Sequence, residues 1–406
     1  MWFFETVFRG RTLWLPVNRT RLEILAATAI AVSALALAIA DPFSRPAETP
    51  PRVGVSEVPQ PPPPPVAQPQ VRPRVEVVFA LDTTGSMGGL IDGAKQKIWS
   101  IANELASGQP RPDLHVGLVA YRDLGDEYVV RSTALSTDLD EVYAELMQLT
   151  ADGGGDGPEH VNAALAQAIR GTTWSQGDEV LKIVFLVGDA PPHDDYDDGL
   201  NSLALAEEAK GRGILINTVR CGLDEATEAA WRQIARIAGG DFVSVAQDGG
   251  VQAIATPYDA ELQALNAAIA DTVVGYGSAQ AQERSRMKVR QRHAMKSAEA
   301  AAAASFSAKA GRLNREDLVT AVEEGLALDS VAPEALPEEL RGLPPEARRA
   351  AVEEKLAKRK ATQKRILEIA EKRDQYLERN AAAKDGFDER VLDIVRKQTA
   401  EIGVAY

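Results

Sequence analysis

The chain has 406 residues, a net charge of −14 and a single cysteine, so its length exceeds what one core ordinarily organises and no intramolecular disulfide can form. The charge is uneven: residues 76–280 carry −20, while the segments before and after carry +3 each. A segment at −20 repels nucleic acid and anionic lipid, and attracts cations or basic partners where it does more than keep the chain soluble.

Residues 1–23 place Arg9, Arg11, Arg19 and Arg21 among Trp2, Phe3, Phe4 and Trp14. Ile24 to Ala40 follows without a charge, at the lower end of the length that spans a bilayer. The arginines before it predict a cytoplasmic N-terminus and an exported remainder. An uncleaved signal anchor at 24–40 is one reading; a signal peptide cut after Ala38-Ile39-Ala40 is the second, and a buried soluble helix the third. Residues 41–74 include Pro61 to Pro65 and read as a semi-rigid polyproline spacer.

Val77 to Leu81 is an apolar run of the kind found in a buried parallel strand. It stops at Asp82-Thr83-Thr84-Gly85-Ser86, and Leu90, Ile91, Ala94, Ile98, Ile101 and Leu105 then recur at helical spacing. A carboxylate and two hydroxyls therefore stand at the carboxyl end of a central strand, where open α/β sheets bind ligands. Oxygen donors of this kind suit a hard divalent cation, Mg²⁺, Ca²⁺ or Mn²⁺.

His115 to Tyr121 predicts a second strand, ending in Arg122-Asp123, which read first as an ion pair at the sheet edge. Glu127 to Leu135 alternates as an antiparallel edge strand, and Leu139 to Leu149 as a short helix. The glycine-rich loop Asp152 to Glu159 feeds a helix expected to start near Pro158, with Glu159 and His160 in its first turn. Val180 to Val187 is a further buried strand, closed by Gly188-Asp189 and followed by the acidic stretch His193, Asp194, Asp195, Asp197 and Asp198. That stretch reads as a solvated loop, a partner-selecting rim or a second weak cation site. Helix, strand, helix, strand and helix follow at 200–211, 214–219, 225–238, 242–245 and 258–274. Strand and helix alternate throughout, so a doubly wound, mostly parallel α/β sheet flanked by helices is expected. Cys221 ends an apolar run and reads as a buried structural thiol; the four histidines show no zinc spacing.

Residues 281–406 are rich in Ala, Glu, Lys and Arg. Asn314 is a candidate helix cap, and Pro345 to about Ala383 reads as a long helix or helical hairpin with an imperfect stripe of Val352, Leu356, Ile366, Ala370 and Leu377. A last amphipathic helix is expected over Phe387 to Ile402. This α-helical region packs on the acidic segment, self-associates, for instance as a coiled coil, or stays partly free; no sustained heptad favours the coiled coil.

Asp82-x-Thr84-x-Ser86, with Asp189 closing a later buried strand and the loop GGGDGPE between them, resembles the metal-ion-dependent adhesion site of the von Willebrand factor type A family. The resemblance covers roughly Val75 to Gln280. It implies that Asp82, Thr84, Ser86 and Asp189 hold a divalent cation, with Mg²⁺ favoured. It also implies that the cation completes its shell with an acidic group from a protein partner. The second loop of that family normally supplies a threonine; the matching position here is Asp156, which would bind the cation directly, bind it through water, or cap the next helix. Thr83, Arg122, Asp123, Glu159, His193 and Asp194 form the expected surround or partner rim. Three functions follow as alternatives: a membrane-tethered cation-dependent binding module, an envelope scaffold in which the cation only stabilises the domain, and a metal-dependent hydrolase. The last lacks a base paired with a nucleophile, His193 being the one nearby candidate. An aspartic-protease loop is excluded because Asp82 to Ser86 has one residue too many and the alternating α/β pattern is wrong for that all-β fold.

Overall fold

The computed structural model describes residues 7–8, 11–12, 72–155, 157–177, 179–245, 255–380 and 387–406. The chain divides into two compact units, Met1–Gln68 and Pro69–Tyr406. In the first, Val7–Phe8 pairs antiparallel with Arg11–Thr12. The anchor expected at 24–40, most of the proline-rich spacer and Asp156 lie outside the described residues. Among the described residues, no helix is long and apolar enough to cross a membrane.

The second unit is built on a six-stranded sheet. Its strands are β1 (Arg74–Asp82), β2 (Asp113–Tyr121), β3 (Val130–Ser132), β4 (Val180–Gly188), β5 (Ile214–Cys221) and β6 (Phe242–Val245). They lie in the order β3-β2-β1-β4-β5-β6, all parallel except β3. β1 begins at Arg74, one residue inside the expected spacer. β3 is shorter than the predicted edge strand: the Thr133 amide still donates to Leu118 O (2.8 Å), but the Leu118 amide turns to the Thr133 hydroxyl (3.0 Å), and antiparallel pairing resumes one residue out of step at Val116–Ser136. Chain order reverses between β1 and β4, and that reversal opens a crevice at the carboxyl ends of the two strands.

Alternate side chains of the central strands enter opposite cores. Val77, Phe79 and Leu81 face a layer that includes α1 (Gly88–Ser107) and α2 (Leu139–Gln148). Val78 and Ala80 face α3 (Val161–Ala166), α4 (Ser202–Gly211) and α5 (Glu225–Ala238). Cys221 is buried in the first core, as its flanking apolar run predicts. The start of α3 corrects the sequence expectation. Glu159 pairs with Pro192 in a parallel bridge, its amide donating to Pro191 O and its carbonyl accepting from the His193 amide, so Pro158 and Glu159 cannot enter the helix. His160 is the cap instead, its Nδ1 accepting from the Ala163 amide (3.3 Å).

The remaining helices are α6 (Asp259–Ala270), α7 (Ala279–Ala294), α8 (Ser297–Ala310), α9 (Leu318–Glu323), α10 (Glu338–Arg341), α11 (Pro345–Asn380) and α12 (Phe387–Ala400). Of the three expectations for this region, packing on the acidic segment is the one found. Phe306 of α8 and Val391, Ile394 and Val395 of α12 share a core with Trp99 and Leu105 of α1. α11 is one continuous helix rather than a hairpin. Its apolar stripe is covered within the chain: Ile366 and Ile369 pack with α6 and α8, and Val352 packs with Leu318 and Leu340. Buried charges seal the joint. Lys288 bridges Asp138 and Glu316 (2.6 and 2.8 Å), and Arg292 bonds Asp140, Asn266 and Ser307 (2.7, 3.0 and 2.7 Å).

Candidate metal centre

Asp82 is the last residue of β1, and the chain turns sharply after it. The turn is made by Asp82 itself: its Oδ1 accepts from the Thr84 amide (2.9 Å) and the Thr84 hydroxyl (2.6 Å). Short carboxylate side chains commonly bond backbone two residues on, which is why such a residue ends a strand in a tight loop. Thr83 points the other way, its hydroxyl donating to Tyr121 O (2.9 Å) and meeting Tyr128 Oη (2.8 Å). Thr84 Oγ1 lies 3.2 Å from Ser86 Oγ, and Ser86 Oγ donates to Asp189 Oδ1 at 3.0 Å. The structure thus brings Asp82, Thr84, Ser86 and Asp189 into one run of oxygens at the β1/β4 crevice. Thr83 supports that run from behind.

A cleft of about 440 Å³ opens over this run, lined by Thr84, Ser86, Gly154, Glu159, Asp189 and Asp224. Close backbone approach shapes it. A Cβ on Gly188 would stand 2.5 Å from Tyr121 Oη and 2.9 Å from Asp82 Cβ, so only glycine lets β4 pass the Asp82 carboxylate. Gly154 has φ +80° and faces both Glu159 and Thr84.

The electrostatics distinguish two carboxyls. Asp82 is 1% exposed, and burial pushes its carboxyl up to about 7, with the neighbouring Asp189 charge adding and the Thr84 bonds opposing. Glu159 is 4% exposed, and burial, then the charges of Asp82 and Asp123, push it up to about 8. Asp82 Oδ2 and Glu159 Oε2 are both buried without a hydrogen-bond partner. An unpartnered buried carboxylate oxygen is costly. A divalent cation meeting Asp82 Oδ2 and the two hydroxyls would remove that cost, so the residues present fit such an ion. The donor set is mixed, hydroxyl with carboxylate. Among the described residues no group of three or more His, Cys, Asp or Glu side chains is arranged to hold a metal.

The expected surround is placed differently from the sequence reading. Arg122 does not pair with Asp123. It is buried, donates to Thr83 O (3.1 Å) and Thr150 O (2.8 Å), and lies over the Tyr128 ring, so it ties the first loop to the end of α2. Asp123 accepts from Tyr196 Oη at 2.8 and 2.9 Å. His193 stacks on Tyr196 with centroids 4.1 Å apart and bonds Asp195 (2.7 Å). Asp194 is engaged within the protein as well: it accepts from Asn162 Nδ2 (3.1 Å), the Ser202 amide (3.2 Å) and the Ser202 hydroxyl (3.2 Å) at the start of α4. The acidic stretch is therefore braced at His193, Asp194 and Tyr196, while Asp194, Asp195, Asp197 and Asp198 stay exposed to solvent.

Three supports escaped the sequence reading. Asp126 accepts from the Gly154 amide (3.0 Å) and holds the glycine loop, Tyr196 joins Asp123 to His193, and the Thr227 hydroxyl donates to Asp189 O (3.1 Å). The contacts of Asp126 with Gly154, Tyr196 with Asp123 and Thr227 with Asp189 reach across 28 or more residues of sequence, and no local pattern marks such a contact.

Residues 76–256 match the family model described as von Willebrand factor A domain. With the fold and the loop order above, the match supports a von Willebrand factor A domain in this stretch. The human von Willebrand factor A domain-containing protein 7 is 33% identical over 126 residues, which is 31% of this chain and 13% of that protein. A putative ariadne-like RING finger protein of Acanthamoeba polyphaga mimivirus is 26% identical over 122 residues, 29% of this chain and 11% of that protein. The chain thus spans a small part of these relatives' length. Among solved structures, the SpRpn10 VWA domain matches with a TM-score of 0.35 at 14% identity, over 44% of this chain and 90% of that one. Proximal thread matrix protein 1 from the mussel byssus, with a zinc-occupied metal site, matches with a TM-score of 0.33 at 14% identity, over 44% and 43%.

Proposed function

We propose that the von Willebrand A-type domain binds one divalent cation at the β1/β4 crevice and, through it, an acidic group of a protein partner. The observation that carries this reading is the buried, unpartnered Asp82 Oδ2 beside Thr84, Ser86 and Asp189. Domains of this type commonly mediate protein–protein interaction, and this one supplies an open cleft over its oxygen donors. Mg²⁺ is the favoured ion, because two hydroxyls and few carboxylates suit a small cation that keeps its waters; Mn²⁺ and Ca²⁺ are the competitors. Thr84, Ser86 and Asp82 Oδ2 would hold the ion, Asp189 would neutralise it and fix the Ser86 hydroxyl, and Asp156 of the second loop would join directly or through water. We read the role as binding rather than catalysis, because His193, the candidate base, is stacked on Tyr196 and bonded to Asp195. Segment 24–40 would anchor the chain in a membrane and place the domain on the exported side, and the −20 charge of residues 76–280 speaks against nucleic acid as partner.

Calorimetric titration of the full chain with Mg²⁺, Mn²⁺ and Ca²⁺ tests the reading. One ion per chain is expected, with at least about tenfold weaker binding in Asp82→Asn. Partners captured on the loaded protein should be released by a chelator. Absence of ion binding at millimolar concentration would leave the envelope-scaffold reading in its place.

A further inference from the structure

Glu159 carries the second unpartnered oxygen of the site. It is held on a different element from the other donors. The bridge to Pro192 and the His193 amide fix its backbone beside the start of the loop after β4. Its side chain is buried, lines the same cleft as Thr84, Ser86 and Asp189, and leaves Oε2 without a hydrogen-bond partner. The site is built around it: Gly154 takes φ +80°, and a Cβ there would lie 3.2 Å from Glu159 Oε1 and 3.4 Å from Thr84 Cβ, so a bare glycine separates the two. A buried acid serving only the fold would normally find a donor, as Asp317 does. Glu159 leaves one buried oxygen unbonded in a cleft that it shares with Thr84, Ser86 and Asp189.

We propose that Glu159 is an in-chain carboxylate ligand of the cation, and that it stands where a partner's acidic group would otherwise bind. The proposal rests on the cation site described above and adds a regulatory consequence. With Glu159 engaged, the ion is more fully neutralised and recruits an external carboxylate weakly. With Glu159 withdrawn, the ion is held less tightly and draws an external acid strongly. Loss of this one side chain should therefore move the two affinities in opposite directions, which a merely structural residue would not do.

The test uses the full chain, Mn²⁺ as the ion and acetate as the external carboxylate, with water-proton relaxation as the readout. Glu159→Gln, which removes the charge, is expected to weaken Mn²⁺ binding at least about tenfold, and Glu159→Ala also to raise the relaxation enhancement per bound ion, as water enters the vacated position. In Glu159→Ala, acetate should restore Mn²⁺ affinity and remove the added water; in the unaltered chain acetate should do neither. Circular dichroism on each variant checks that it has folded. If Asp82→Asn loses the ion while both Glu159 variants bind it as the unaltered chain does, the proposal is overturned and the cation site stands. If the unaltered chain binds no Mn²⁺, both are overturned.

Discussion

A chain ended at Gln280 loses its cooperative unfolding transition. The sheet and its first five helices look self-sufficient in sequence, but α1 is covered by residues that come later. Met295, Phe306, Val391, Ile394 and Val395 lie in one core with Trp99, Ile101 and Leu105, and the Phe306 and Trp99 rings stand 5.8 Å apart. Burying a large apolar side chain contributes about 1.5–3 kcal/mol. Five such residues together approach the whole stability of an ordinary domain, about 5–15 kcal/mol. Truncation also removes Lys288 and Arg292, leaving Asp138 and Asp140 without their cations. Thermal unfolding followed by circular dichroism should show a broad, early loss of structure, with a hydrophobic dye binding the exposed α1 face. A sharp transition at the midpoint of the full chain would contradict this account of the core.

Arg359→Ala destabilises the chain by about 3–5 kcal/mol, the usual cost of breaking a buried ion pair from one side. Arg359 is 1% exposed and joins three elements. It pairs with Asp317, donates to the Thr320 hydroxyl (2.8 Å), and reaches the Thr272 hydroxyl and carbonyl (2.9 and 3.0 Å). Asp317 in turn caps α9, accepting from the Thr320 amide (3.3 Å), and holds the Val274 amide (3.1 Å). Without Arg359 that carboxylate stays buried and uncompensated. Denaturant midpoints should show the loss, and adding Asp317→Asn should recover part of it, because the two sites are coupled. A loss below about 1 kcal/mol would mean that Arg359 is only a surface-grade contact.

The sheet was legible because its strands are short apolar runs ending in glycine, aspartate or arginine, and period alone separates them from the helices between. Asp82, Thr84, Ser86 and Asp189 were legible for a related reason: each follows directly on a buried strand, so topology alone brings them to one crevice. Glu159 was misread. Pro158 looks like the first residue of a helix, and the isolated bridge to Pro192, between two loops, keeps Glu159 out of it. The Arg122–Asp123 pair failed similarly. Adjacent opposite charges suggest each other, whereas the backbone turn sends Arg122 towards Thr83 O and Thr150 O and Asp123 towards Tyr196. The cover that α8 and α12 lay over α1 was legible only as one of three alternatives, because neither an Ala-rich helix nor an amphipathic one names the surface it packs on.

The measurement that bears most directly on the cation site is the melting temperature of the full chain against pH, in chelator and in millimolar Mg²⁺. In the folded chain Asp82 is pushed up to about 7 and Glu159 to about 8, both above their ordinary values of 3.8 and 4.5. The folded state therefore holds these protons more tightly than the unfolded one. Their contribution is fully present below about pH 4 and is lost as pH rises through 7 and 8. In chelator the melting temperature should fall across that window. At pH 8, Mg²⁺ at about one hundred times its dissociation constant should return about 2.7 kcal/mol and raise the melting temperature, whereas at pH 5 protons compete for the same carboxyls and the gain should be much smaller. A melting temperature that ignores Mg²⁺, Mn²⁺ and Ca²⁺ at pH 8 would contradict the cation site and everything built on it.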